Sequence, residues 1–238
     1  MHHAPLRVRR RTRSGRLLRT SLPVLLALVS MPLIDGAALA LEGEISLTRR
    51  GRPAHESARA LVYFEPAEPT STAPSQTEFE ITMVDKQFSP QSLVVPVGST
   101  VRFPNEDTIL HNVFSVSGDN RFDLGLYRRG QGKEATFESP GVVRVFCNVH
   151  HAMVAYIVVV DTPYYTTANG DGSFVLDAPE VDGTLHVWHP RTEPWSQEIS
   201  GGADPLEIEL TIDKPRVPRH KNKHGRAYSR RGRSDAYE

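Results

Sequence analysis

The chain has 238 residues, 24% of them charged, with 28 Lys and Arg, 28 Asp and Glu, and a single cysteine. That length can bury the core of one large or two small domains, and one thiol excludes an internal disulfide framework. The formal neutrality hides a division: residues 1–40 carry seven Arg and one Asp, and residues 213–238 carry nine basic and three acidic groups. Twelve basic and 24 acidic residues remain in 41–212, a net of −12, which excludes a basic nucleic-acid-binding body.

Residues 1–40 read as an export signal, with an Arg-rich start, an apolar run from Leu22 to Ile34 and Ala38-Leu39-Ala40 as a small-x-small site, which predicts cleavage after Ala40. A signal anchor is the alternative, but Pro23, Pro32 and Asp35 interrupt the run and leave it short of the roughly 20 residues that span a bilayer. Arg9, Arg10 and Arg11 leave the twin-arginine route open beside the general one. Exported and periplasmic is the expected location. Two short strands are expected at 43–47 and 60–64, followed by a Pro-, Ser- and Thr-rich linker at 67–77.

From 78 to 160 the chain is a series of short β-patterned runs at 79–84, 92–97, 100–103, 112–116, 135–138, 142–146 and 154–160, which predicts an all-β antiparallel sandwich or barrel. The segment 118–133 is the least patterned and reads as a long surface connection with one short helical turn. After Thr162 the pattern resumes. Asn169-Gly170-Asp171-Gly172 between 164–167 and 173–176 predicts a hairpin, and 184–188 and 206–212 are further alternating strands. These are too few to close a sandwich alone, so the strands at 41–66 are expected to complete it and 78–160 to be an insertion. Beyond Asp213 the basic, proline-bearing tail is expected to be disordered, with weak attraction for anionic surfaces.

The chemistry concentrates in Cys147-Asn148-Val149-His150-His151-Ala152-Met153. A thiolate, an imidazole three residues on and a thioether three residues further match the preferences of copper, whose electron-transfer sites use two His, one Cys and a weak axial Met. The second imidazole must come from another strand, and His111 is the candidate. His186 and His189 flank Trp188 and are expected to face solvent or pack on the indole. His220 and His224 lie in the tail, and neither pair has a third ligand. The turn explains Asn169 and Asp171 without calcium.

These residues carry a resemblance. Val101-Arg102-Phe103-Pro104-Asn105 followed by His111-Asn112-Val113, with Cys147-x-x-His150-x-x-Met153, resembles the cupredoxins, the small blue copper proteins, and the loop spacing resembles amicyanin in particular. The resemblance implies a Greek-key β-sandwich binding one copper ion, with His111, Cys147 and His150 as equatorial ligands and Met153 as the axial one. It also implies that Asn112 ties the two ligand loops together and that His150 is exposed. Leu110 and Val149 stand where relatives often have proline, and His151 adds an imidazole inside the loop. The flanking segments resemble a carboxypeptidase-regulatory or transthyretin-like sandwich, and the whole chain is similar to exported proteins labelled methylamine-utilisation-like.

The leading expectation is therefore a non-enzymatic copper protein passing single electrons between a donor and an acceptor protein. Copper delivery and a scaffolding sandwich are the alternatives. At the level of the site the competitors are a buried structural cysteine, a zinc site lacking a fourth suitable ligand, and a Cys-His nucleophile lacking an orienting acid.

Overall fold

The computed structural model describes residues 38–56, 58–69, 78–200 and 204–228, and among them every regular element is a strand. Most of the expected export signal and of the linker lies outside the described residues. The first strand, Ala38–Arg49, starts upstream of the expected cleavage point, so cleavage after Ala40 would leave it beginning at Leu41.

The 78–160 segment folds into two sheets of five strands. One runs Asn120–Tyr127, His111–Ser117, Gly141–Cys147, Val154–Val160 and Ser92–Pro96; the other runs Gly130–Phe137, Ser99–Asn105, Thr82–Val84 and Gln87–Ser89, with Phe79–Glu80 also beside Ser99–Asn105. Their facing sides bury Ile81, Met83, Val101, Phe103, Val113, Phe137, Val145 and Ile157. The sheets are mixed rather than antiparallel throughout, because Val154–Val160 pairs parallel with Ser92–Pro96 and Thr82–Val84 parallel with Ser99–Asn105. Turn residues report local hairpins, whereas a parallel pair joins strands far apart in sequence and leaves no local mark.

The expected surface connection at 118–133 is instead the larger part of two long strands, Asn120–Tyr127 and Gly130–Phe137. Phe122 and Leu124 do alternate, but the register shifts between Asp123 and Leu126, with Gly125 at φ 71° between them, and Leu126 is left 47% exposed. A second shift between Gly130 and Lys133 depends on Gly132, at φ 82°, where a Cβ would collide with the Phe103 carbonyl. Bulges of this kind break the two-residue period and hide a strand from pattern reading.

A second sandwich is formed by Ser173–Pro179, Ala38–Arg49 and Leu206–Thr211 in one sheet, with Arg52–Pro53 at its side, and by Tyr165–Thr167, Leu61–Pro66, Gly183–Trp188 and Trp195–Ile199 in the other. The 169–172 turn closes, with the Asn169 amide donating to the Ser173 carbonyl at 2.8 Å and the Asp171 carboxylate accepting from both the amide and the hydroxyl of Ser173. The flanking strands do not form the expected hairpin. Tyr165–Thr167 and Ser173–Pro179 belong to opposite sheets, so the turn carries the chain across the sandwich. Gly172, at φ 101°, lies so close to Ile45 that a Cβ would overlap its carbonyl oxygen.

The two sandwiches meet over a third apolar cluster. Phe114, Phe146, Val154, Tyr156 and Val158 come from the outer face of one, and Leu61 and Trp188 from the other. This is why every residue of Val154–Val160 is buried: Ala155, Ile157 and Val159 face one core and Val154, Tyr156, Val158 and Val160 the other. A strand covered on both faces reads as a continuous apolar run rather than an alternating one.

Candidate metal centre

Strands His111–Ser117 and Gly141–Cys147 are antiparallel neighbours, with Val113 opposite Cys147. The pairing places His111, at the start of one strand, beside Cys147, at the end of the other. The loop from Cys147 then turns back tightly: the Met153 amide donates to the His150 carbonyl at 2.9 Å and the Cys147 amide to the Met153 carbonyl at 3.3 Å. His150 is thereby returned to the side of Cys147.

Three donor atoms converge. His111 Nδ1 and His150 Nδ1 are 3.1 Å apart, and Cys147 Sγ is 3.7 Å from the first and 3.8 Å from the second. All three side chains are buried, and among the described residues no fourth His, Cys, Asp or Glu donor joins them. Met153 is buried on the same loop and packs in the apolar cluster that also contains Cys147. Each edge of the triangle is shorter than two metal–ligand bonds of about 2.0–2.3 Å laid end to end, so one ion can reach all three atoms. Two imidazoles and one thiolate suit copper, whereas a closed structural zinc site would want a fourth His or Cys.

Burial, first, pushes the Cys147 thiol above its ordinary value, while the amides of His150, Asn112 and Val149 that point at the sulfur offset part of that shift. The His150 amide lies 3.4 Å from the sulfur. A buried thiol that keeps its proton is a poor nucleophile, but a bound cation removes that proton.

The His111 ring is fixed from its far side. Its Nε2 is 2.7 Å from the Asp107 carboxylate, which fixes the tautomer with Nδ1 turned toward Cys147 and His150. Burial pulls the His111 pKa down, and although Asp107 pulls it up, burial wins. For Asp107, burial alone would raise the carboxyl. The amide of Lys86, the ring of His111 and the amide of Asp85 together outweigh it and hold the group below the usual carboxylate range. The loop that carries Asp107 is clamped by Asn105, whose carboxamide donates to the Ile109 carbonyl at 3.0 Å and accepts from the Asp107 amide at 2.9 Å. Asp107 has no place in the sequence reading, and Asn105 enters it only as the last residue of the Val101–Asn105 stretch. An acid four residues before a histidine is a visible signal, but in a loop it has no meaning until the fold of the loop is known.

The Asn112 backbone amide points at the Cys147 sulfur and so links the two ligand segments, while its side chain donates to Asp123 on the neighbouring strand at 2.7 Å. One expectation about the site needs correction. His150 is not exposed; only 9% of its surface is accessible. The described part of the tail, to Tyr228, has no strand or helix, yet it crosses this rim. The Lys223 amide donates to Asn148 Oδ1 at 3.1 Å, Lys223 Nζ is 2.7 Å from Asp123, the His220 ring stacks on Phe146 at 4.1 Å and 10°, and Tyr228 packs against His151 at 5.3 Å. A composition that is too polar for a core of its own is held by stacking and charge on a surface that another part of the chain provides. Burial, and then the charge at Cys147, push the Tyr228 phenol up to about 12.

Among the described residues the remaining histidines do not gather a third ligand. His186 stacks on Tyr63 at 4.7 Å and lies 3.3 Å from Glu65, and His189 is buried and accepts from the Arg191 amide at 3.3 Å; the Trp188 indole packs instead against Tyr156 at 5.2 Å.

Fold and centre together define an all-β protein of two sandwiches, one of which carries a buried His2Cys cluster at its rim. The chain is similar to solved structures of a purple cupredoxin from Nitrosopumilus maritimus, at 26% identity over 34% of this chain and 99% of that one with a TM-score of 0.31. It is also similar to a reduced point variant of amicyanin, at 22% identity over 41% of this chain and 99% of that one with a TM-score of 0.33. For the Cu-containing nitrite reductase of Thermus scotoductus SA-01 the identity is 24%, covering 49% of this chain and 28% of that one, with a TM-score of 0.35. No family model and no curated protein matches the chain.

Proposed function

We propose that the chain is an exported, non-enzymatic type 1 copper protein that binds one copper ion and carries single electrons between a donor and an acceptor protein in the periplasm. The observation that carries this reading is the convergence of two Nδ1 atoms and one Sγ within 4.8 Å of one another in a buried pocket. His111, Cys147 and His150 would hold the ion, with Met153 as a weaker fourth donor.

Bound copper supplies one-electron chemistry between its cuprous and cupric states. The protein's part is to hold the ligands still. His111 is pinned by Asp107 at Nε2 and by its strand, Cys147 by its pairing with Val113, and His150 by the turn that closes on Met153. Because these restraints do not depend on a metal, little has to move when the charge of the centre changes, and that lowers the barrier to electron transfer. Cys147 gives up its proton when a cation binds, so copper loading near neutral pH releases protons. A reductive titration of the copper-loaded chain tests the carrier reading: full, reversible reduction and reoxidation supports it, and copper that cannot be cycled leaves delivery as the function.

A further inference from the structure

The tail segment His220–Tyr228 is a built element. Asn222 organises a turn in which its side-chain oxygen accepts from the amides of His224 and Arg226, both at 3.0 Å, its carbonyl accepts from the Gly225 amide at 2.9 Å, and Gly225 takes φ 74°. That turn presents Lys223 to two partners at once, Asn148 in the ligand loop and Asp123 on the strand next to His111. Asp123 in turn accepts from Asn112, the residue after His111. On either side of the turn, His220 lies flat on Phe146, the residue before Cys147, and Tyr228 rests on His151, the residue after His150, and on His220 itself. Contacts to Phe146, Asn148 and His151 bracket the centre, and His150 beneath them is buried.

The closure is also loose. His220 Nε2 and Tyr228 Oη are sealed from solvent without a hydrogen-bond partner among the described residues, and burying unpaired polar atoms opposes closure, since water would satisfy both on opening. The Lys223–Asp123 ion pair that anchors the segment is partly exposed and open to competition by other ions.

We propose that His220–Tyr228 is a releasable cap over the His150 side of the centre, which admits a metal ion or a redox partner only after Lys223 exchanges Asp123 for an outside anion. The role of the cap rests on the copper reading above, but the cap itself can be tested without metal.

The test follows carbethoxylation of His150 by diethyl pyrocarbonate in the full, metal-free chain, resolved peptide by peptide by mass spectrometry. Lys223→Glu and the pair His220→Ala with Tyr228→Ala are expected to speed His150 modification by at least about tenfold, because the protected state no longer dominates. Raising NaCl from about 0.05 M to about 0.5 M is expected to speed it in the unaltered chain and not in Lys223→Glu. His150 reacting at one rate in all the chains overturns the cap. If a variant does not fold, as judged by circular dichroism, the salt response of the unaltered chain decides, and a flat response overturns the proposal. A chain that shows the protection yet binds no copper would retain the cap and lose the electron-carrier reading.

Discussion

Asp107 sets the orientation of His111 without being able to reach the atoms that face the centre. Its carboxylate occupies Nε2, and the donor left over is the Nδ1 that lies 3.1 Å from His150 Nδ1. Asp107→Asn keeps the size and loses the charge; copper affinity is expected to fall about 10- to 100-fold, the usual effect of removing an outer-shell carboxylate, measured by competition with a chelator of known affinity. The same two residues give the metal-free chain a pH dependence. Folding depresses the His111 pKa, so below about pH 6.5 the unfolded ring takes up a proton that the folded one resists, and stability falls. Folding also depresses Asp107, so its contribution is present above about pH 3.9 and is lost as pH falls through the lower folded value. Both act in one direction. Thermal melts of the metal-free chain should move to lower temperature from pH 7 to pH 4 and further below it, and Asp107→Asn should remove the lower part of the decline; a melting temperature flat across that range contradicts this. At this scale the ligand loop was legible because Cys147, His150 and Met153 share seven residues. Asp107 and Asp123 were not, because their roles depend on the Asn105 clamp and on a bulged strand that no spacing records.

The strand Val154–Val160 holds the architecture together, since its alternate residues belong to two different cores. Its unbroken apolar text was readable as a strand, but the sequence does not say what covers the second face. The cover is the sheet containing Gly183–Trp188, and Trp188, itself only 9% exposed, packs on Tyr156. Trp188→Ala should cost about 3–5 kcal/mol in urea unfolding, the range for deleting a buried Trp, with little change in the spectrum of a loaded centre that it does not touch. The 169–172 turn gives a second check. Its Asn-Gly and Asp-Gly pairs announced a tight turn correctly, but whether the strands on either side pair or part is decided by contacts with Ile45 and Ala60, far away in sequence. Gly172→Ala puts a methyl group against the Ile45 carbonyl in a backbone conformation that side chains avoid. A loss of about 1–3 kcal/mol or more is expected, and a neutral result would mean that the turn can relax.

Taken whole, the molecule is two sandwiches that share buried surface rather than two beads on a string. Phe114, Phe146, Tyr156 and Val158 would be uncovered if residues 78–160 were excised, so the excised piece should self-associate while the full chain unfolds in one cooperative transition; two well-separated transitions would contradict a shared core. The ligand strands are part of that shared body, because the residue before Cys147 contributes to the contact between sandwiches and also to the seat of the tail. On the proposed reading, two imidazoles and one thiolate hold a single copper ion in a type 1 site. The most direct test is the absorption and electron paramagnetic resonance spectrum of the copper-loaded chain beside its Cys147→Ser variant. An intense visible thiolate-to-copper band with a narrow copper hyperfine splitting, both lost in the variant, is the predicted result. A weak band with an ordinary wide splitting, the same in both chains, would place copper away from Cys147 and contradict the account.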